Sequence, residues 1–323
     1  MSFSHPTPWL SDVLDRFAAW LDRRTALRLP LLLLGALLAS GRRTATSWFR
    51  AAGITDEFRP AYHTIYAAGR RTEDLALTAW LTACPCLTRS RRLLLAIDDT
   101  PTPRYGPCVE GAGIHHNPTP GPAGEKFVYG HLWVLLAGLA KRAGHKRGWK
   151  QVECEQYGQR VTKTYKTFLA TWRPAGGLIR VVLVQEEHSW VPFFCTDPEA
   201  SVVDILEAAA DRGAVEQTNK DLKEVWGAGQ QQLRNVYANV GAFNCNGWLH
   251  TMVEAWAWER PEEELVDRSA SPWDDASRRP SHADKRKALQ REVLRQEIEA
   301  VLAGPPDRQR FRELAEKLLD LAA

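Results

Sequence analysis

The end of one apolar run carries two neighbouring acids that could do chemistry. Residues 93–97, LLLAI, predict a buried central strand, and Asp98 and Asp99 follow it directly. Carboxylates at the end of a buried strand cost free energy unless water or a cation compensates their charge. Hard divalent cations bind carboxylate oxygens. The pattern therefore leaves two interpretations open, a metal site or a simple turn before Pro101.

A second group of polar residues lies near residue 216. Arg212, Glu216, Asn219 and Lys223 are separated by four, three and four residues, so on a helix they fall on one face, within about 40° of each other. This stripe presents a cation, a carboxylate, an amide and a second cation. Helix geometry alone favours an exposed face stabilised by pairs such as Arg212 with Glu216.

Taken together, the two groups resemble a known family. The spacing of Arg212, Glu216 and Lys223 resembles the Y-R-E-K signature of one branch of the bacterial insertion-sequence transposases of the DDE type. Residues 211–227, DRGAVEQTNKDLKEVWG, are similar to the stretch around that signature, and residues 96–106, AIDDTPTPRYG, are similar to the segment with the first aspartate. The resemblance covers roughly residues 25–260, with the predicted elements in the same order.

This resemblance implies a fold, a cofactor and a reaction. It implies an RNase H-like domain in which three acids hold Mg²⁺ (or Mn²⁺) for cleavage of a DNA strand and transfer of its 3′ end. Asp98 matches the first acid and Glu216 the third, so these two are the expected catalytic residues and metal ligands. Asp99 is a less close match for the first acid. Arg212 and Lys223 are expected to contact DNA phosphates.

The sequence departs from the family at the second aspartate. No segment like V-x-D-G-x-Y lies between Asp99 and Glu216, and of the aspartates there only Asp197 ends a predicted strand. Asp197 is either a substitute ligand or the N-cap of the helix that Pro198 begins. An apolar strand runs straight into a basic connector near residues 139–141, which suggests an internal deletion. Asn219 also stands where the family usually has an aromatic residue.

Local clusters of basic residues, and not the net charge, point to a polyanionic partner. The net charge is +3, which is mild, but basic residues cluster along the chain. Candidate DNA contacts among them are Arg42, Arg43, Lys146 and Arg147. The expected partner is double-stranded DNA, at the element ends and the target, and a homodimer is expected from the resemblance alone. The six cysteines show neither a disulfide framework nor a zinc pattern, which indicates a reducing cytosol.

The chain divides into predicted segments. We expect an α/β (or α+β) fold: a helical domain over 1–90, an RNase H-like mixed sheet with flanking helices over 91–260, a linker over 261–280 and a helical tail over 281–323. Strands are predicted at 127–139, 161–172, 178–185 and 190–196, and a Gly/Pro-rich loop at 100–124. The apolar stretch at 29–38 is too short to span a bilayer and predicts a buried helix, so we expect no membrane contact and a place in the cytoplasm, at the bacterial nucleoid.

Three functions remain open from the sequence. The first is an active transposase in which Asp197 or Asp99 supplies the missing ligand. The second is a catalytically dead DNA-binding remnant that represses or competes with a full-length transposase. The third is an interaction protein without a DNA role, with the helical tail as a dimer surface. The intact stripe of Arg212, Glu216 and Lys223 favours the first two over the third.

Overall fold

The computed structural model describes residues 8–87, 94–117, 126–139, 152–156, 159–172, 175–185, 189–269, 273–275 and 278–303, with isolated residues between 308 and 318. Its helices are α1 (Pro8–Ala18), α2 (Arg23–Leu38), α3 (Ala45–Ala51), α4 (Arg59–Arg70), α5 (Thr72–Leu87), α6 (Val202–Glu224), α7 (Val236–Ala257), α8 (Glu262–Leu265) and α9 (His282–Ala303). Its strands are β1 (Leu94–Pro103), β2 (Gly113–His116), β3 (Phe127–Leu139), β4 (Val152–Gln156), β5 (Gln159–Lys163), β6 (Tyr165–Trp172), β7 (Gly177–Gln185) and β8 (Trp190–Cys195).

Small sheets with flanking helices confirm the α+β class. The strand orders are β1-β3-β2, β4-β5 and β6-β7-β8. The pairs β2–β3, β4–β5, β6–β7 and β7–β8 are all antiparallel. The more specific expectation, an RNase H-like mixed sheet, stays a prediction, as do the four predicted segment boundaries.

Three local predictions about the strands are wrong. β1 lies at the edge of its sheet rather than in the centre, and Leu95 and Ile97 are 51% and 72% exposed. The predicted strand 161–172 is two strands, since β5 pairs with β4 whereas β6 pairs with β7. The predicted loop 100–124 contains β2, whose four residues carry too short a pattern to signal a strand without their partner β3.

One compact unit comprises residues up to 86, 99–133 and 220 onwards. Its core is helical, and the apolar stretch predicted as a buried helix is the buried face of α2. Helices α4 and α7 cross at Gly69 and Gly241: a Cβ on Gly241 would lie 2.0 Å from the Ile65 carbonyl oxygen, and one on Gly69 would lie 1.8 Å from that of Tyr237. Only glycine allows this backbone contact between two helices.

A buried arginine and histidine join two loops of this unit. Arg104 donates through Nε to His131 Nδ1 at 3.0 Å and through Nη1 to the carbonyl of Gly229 at 2.7 Å. His131 Nδ1 must then carry the lone pair, so Nε2 donates to the Glu110 carbonyl oxygen at 3.0 Å. Burial lowers the pKa of His131, and the positive charge of Arg104 acts in the same direction.

The other compact unit comprises residues 87–98 and 134–219. Its core forms where β7 packs on the first turns of α6, through Val182, Val184, Ile205 and Leu206, together with Cys154 of β4. Burial alternates from Val181 to Gln185, as the strand period of two requires where every second side chain faces a covering helix.

None of the helices in the described part of the chain is both long and apolar enough to cross a membrane.

Candidate active site

Helix α6 carries the candidate acid Glu216, and a local cap sets where it begins. Ser201 Oγ accepts the backbone N–H of Asp204 at 3.1 Å and donates to its carboxylate at 2.8 Å, so Ser201 is the N-cap. The predicted N-cap, Asp197, instead accepts the backbone N–H of Glu199 at 3.0 Å, in a turn before the helix. That prediction is wrong, because the turn at Pro198 and Glu199 delays the helix to Val202.

Asp98 of β1 is bonded directly to the stripe on α6. Asn219 Nδ2 donates to Asp98 Oδ2 at 2.7 Å. Asp98 is half-buried, and Asn219 is 7% exposed. Asp98 was predicted to end its strand, but β1 continues to Pro103, so the acid lies within the strand. Asp98 and a helix residue 121 positions later in the chain therefore share one hydrogen bond. Asp99 is the next residue of the same strand and is exposed, so its side chain leaves the opposite face.

Both candidate acids line one open cavity of about 300 Å³. Arg212 lies there as well, with its Nε 3.9 Å from Glu216 Oε1. The side chains of Arg212 and Glu216 are 79% and 66% exposed, so their attraction is screened by water and both remain accessible to a ligand. The residues that line the cavity are Leu95, Ala96, Ile97, Asp98, Ala208, Arg212, Val215 and Glu216.

The donor atoms at this site fit a hard divalent cation. Asp98 and Glu216 offer carboxylate oxygens, which Mg²⁺ and Mn²⁺ prefer. Asn219 Oδ1 is buried and, within the described part of the chain, has no hydrogen-bond partner. A buried amide oxygen without a partner is costly, and a cation or its bound water would satisfy it. The sequence placed Asn219 on the same helix face as Glu216 but predicted no ligand role for it, because Asn219 stands where the family usually has an aromatic residue.

The remaining predicted site residues have different surroundings. Lys223 lies on the same face of α6 as Glu216, seven residues further along. Arg42 is exposed, whereas Arg43 is half-buried. The backbone N–H of Arg43 donates to Gln230 Oε1 at 2.7 Å and its carbonyl accepts from Gln231, so Arg43 contributes to the packing of its loop. Burial lowers the pKa of the Arg43 guanidinium. Lys146, Arg147 and residues 140–141 of the predicted deletion lie outside the described residues.

Comparison with protein families finds one match for this chain. A family model described as DDE superfamily endonuclease matches residues 16–174. This match, over just under half of the chain, supports a DDE-type transposase. The matched range contains Asp98 and ends before the stripe on α6. No curated protein and no solved structure matches the chain.

The DDE match supports a transposase or nuclease function with DNA as the substrate. Endonucleases of the DDE superfamily generally depend on divalent metal ions, in agreement with the oxygen donors of Asp98 and Glu216. The Y-R-E-K branch, the internal deletion and the individual site residues stay predictions.

Proposed function

We propose that this chain is a DDE transposase-family protein whose metal-dependent cleavage and joining of DNA strands is weakened by the loss of the second aspartate. The observation that carries the proposal is that Asp98 and Glu216 line one cavity while Asn219 donates to Asp98. Bound Mg²⁺ or Mn²⁺ would supply charge stabilisation for the attacking and leaving oxygens of the phosphodiester. Asp98 and Glu216 would hold the ion.

The other polar residues on this face of α6 have roles that follow from their positions. Arg212 is the most exposed charged group there, and its guanidinium is suited to contact a DNA phosphate beside the ion. Asn219 fixes the carboxylate of Asp98 by its N–H, and its buried amide oxygen has no hydrogen-bond partner within the described part of the chain. Lys223, further along the same face of α6, is placed to contact a neighbouring phosphate.

The weakness of the catalysis follows from the missing ligand. Asp197 bonds the backbone of its own turn, and Asp99 leaves the face opposite to Asp98, so neither has the surroundings expected of a third metal ligand. A neutral amide at Asn219 attracts a divalent ion less than a carboxylate does. Phosphoryl transfer depends on positioning and charge, so the loss of one carboxylate should lower the rate strongly.

Nicking of supercoiled plasmid DNA in Mg²⁺ or Mn²⁺ tests this proposal with the full chain. We expect slow nicking that Asp98→Asn and Glu216→Gln abolish. Glu224→Gln is the matched control, because Glu224 is an exposed acid on the same helix whose partner is Lys220 at 3.9 Å. Nicking that persists in Asp98→Asn would exclude this site as its source.

A gain-of-function variant sharpens the same test. Asn219→Asp places a third carboxylate beside Asp98, so we expect tighter Mn²⁺ binding, measured by electron paramagnetic resonance, and faster nicking. Without a cation the two adjacent carboxylates repel each other, and the variant should be less stable until Mn²⁺ is added. If Mn²⁺ neither binds nor restores stability, the oxygens of Asp98 and Asn219 do not form a cation site.

A catalytically dead DNA-binding remnant, acting as a repressor or competitor of a full-length transposase, is the second candidate. The observation in its favour is that the DDE match includes the helical segment with exposed arginines such as Arg42, Arg50 and Arg70. The affinity for a DNA duplex should then fall steeply with salt, even for Asp98→Asn. Wild-type protein that binds DNA in this way but does not nick it would support this candidate. Under both proposals, we expect the protein to form a homodimer and to be located at the bacterial nucleoid.

A further inference from the structure

Within the first compact unit, the last turn of α6 and two further helices bring a second group of metal-binding side chains together. Asp221 lies on α6, His250 on α7 and His282 on α9. One ligand atom from each lies within 4.8 Å of the other two. The side chains of Asp221 and His250 are 13% and 15% exposed, and that of His282 is 3% exposed. None of these residues belongs to the cavity with Asp98 and Glu216.

The hydrogen bonds around His282 assign its two ring nitrogens. The indole Nε1 of Trp226 donates to His282 Nε2 at 2.8 Å, so Nε2 carries the lone pair and Nδ1 carries the proton. Nδ1 then donates to Glu254 Oε1 at 2.6 Å, and Lys285 Nζ lies 2.5 Å from the other carboxylate oxygen. A carboxylate that receives the second N–H of a histidine is the usual support of a metal-binding imidazole.

His250 lies beside His282 and close to Asp221. The two imidazole rings are stacked, with their centroids 4.0 Å apart and an angle of 16° between their planes. His250 Nε2 is 3.9 Å from Asp221 Oδ2. Donor atoms around a tetrahedral Zn²⁺ ion are about 3.4 Å apart, given metal–ligand distances near 2.1 Å. Because nearly parallel stacked rings cannot both direct an in-plane lone pair at one ion, His250 must rotate out of the stack when the ion binds.

We propose that Asp221, His250 and His282 bind one divalent transition-metal ion of the Zn²⁺ class, distinct from the ion held by the candidate catalytic acids. Two imidazoles and one carboxylate are ligands that Zn²⁺, Co²⁺ and Ni²⁺ accept, whereas Mg²⁺ prefers an all-oxygen set. On binding, the Trp226 N–H gives up its bond to His282 Nε2, which then donates its lone pair to the ion. Glu254 stays on Nδ1 and holds the ring.

The ion would act as a cross-link between helices that are far apart in the chain. Asp221 and His282 lie on α6 and α9, and the ion would join both to α7. Because the unfolded chain does not hold these three ligands together, an ion that binds only the folded protein raises its stability. The proposal does not depend on nicking activity, and the loss of Asp98 or Glu216 should leave it unaffected.

Metal titration of the tag-free full chain tests the proposal. We expect one equivalent of Zn²⁺ to bind, in competition with a chromophoric chelator, and to raise the unfolding temperature. Co²⁺ should give visible absorption bands of a low-coordinate site. His250→Gln and Asp221→Asn should remove these signals, and Glu254→Gln should weaken binding by about ten- to a hundredfold through the lost support of His282.

His63→Gln is the matched control, since His63 is an exposed histidine of α4 and should have no effect on the titration. Circular dichroism verifies that each variant is folded, and Asp98→Asn distinguishes this ion from one at the candidate active site. Wild-type protein that binds Zn²⁺ no more tightly than His250→Gln does, with no Co²⁺ bands, would overturn the proposal and leave the stacked histidines as a packing feature.

Discussion

The helical core of the first compact unit and strands β1 and β3 in the second differ in how far their apolar side chains are exposed. In the first unit, large residues such as Phe17, Trp48 and Phe49 are at most 1% exposed. In the second, Leu95 and Ile97 of β1 are 51% and 72% exposed, and Val134 and Leu136 of β3 are 71% and 62% exposed. All four are alternate residues of their strands, so each strand turns an apolar face to solvent.

The composition of β1 does not match its exposure. The residues of β1 have the composition of a strand that is covered on both faces, yet Leu95 and Ile97 remain 51% and 72% exposed. The apolar residues of α2, α4 and α7 in the first unit meet one another, although its strand residues Ile114 and Phe127 are 75% and 61% exposed.

The largest expected effect comes from a comparison of two truncations in the second unit, one of a buried and one of an exposed apolar side chain. Leu206→Ala removes a side chain that is 0% exposed in the core beneath β7, so we expect a loss of about 2–5 kcal/mol of unfolding free energy. Ile97→Ala should cost less than about 0.5 kcal/mol, since Ile97 is already in water. Urea unfolding measures both, and a large cost at Ile97 would mean that its face is covered in solution.

The helix crossing of the first unit gives the next largest effect. Gly241→Ala forces a Cβ against the backbone of α4, so we expect a loss of about 3 kcal/mol. Gly247→Ala is the control on the same helix: its Cβ would meet nothing within 4 Å, and the better helix propensity of alanine should stabilise by up to about 1 kcal/mol. Equal effects of the two substitutions in urea unfolding would contradict the close crossing.

A smaller effect should appear as a dependence of stability on pH. Burial holds the pKa of His131 below its ordinary value, so the unfolded chain takes up a proton more readily than the folded one. The contribution of His131 is therefore complete above its unfolded pKa of about 6.5 and is lost as the pH falls below that value. His131→Gln keeps one donor and one acceptor but does not titrate. Its unfolding free energy should fall less than that of the wild type between neutral and acidic pH.

The smallest effect on stability is expected at the candidate active site. Glu216 is largely exposed and 3.9 Å from Arg212, so Glu216→Gln should change the unfolding free energy by at most about 0.5 kcal/mol. The same substitution should abolish nicking of plasmid DNA. If Glu216→Gln unfolds the protein, this residue has a structural role that its exposure does not reveal, and the loss of nicking would carry no information about catalysis.

Local patterns predicted much of the candidate site, and contacts distant in sequence account for the rest. The spacing of Arg212, Glu216 and Asn219 fixes their common face once the segment is helical, and the run before Asp98 predicts a strand. The hydrogen bond from Asn219 to Asp98 joins residues 121 positions apart, which no local pattern encodes. The same is true of His250 and His282, which come together only when their helices pack.

Strand pairing was the least predictable part of the fold for a related reason. The division of 161–172 between β5 and β6 depends on a change of partner at Thr164, whereas the residue pattern on both sides is that of a strand. Likewise, the edge position of β1 depends on which strands lie beside it, and a composition typical of a central strand does not determine that.

The exposed apolar face of β1 and β3 affects the expected abundance of this protein in a cell. Exposed apolar strands at a sheet edge associate with one another, and that association rises with concentration. Chaperones and proteases remove chains that display such surfaces. We therefore expect the exposed apolar face to limit the abundance of the folded protein in a cell.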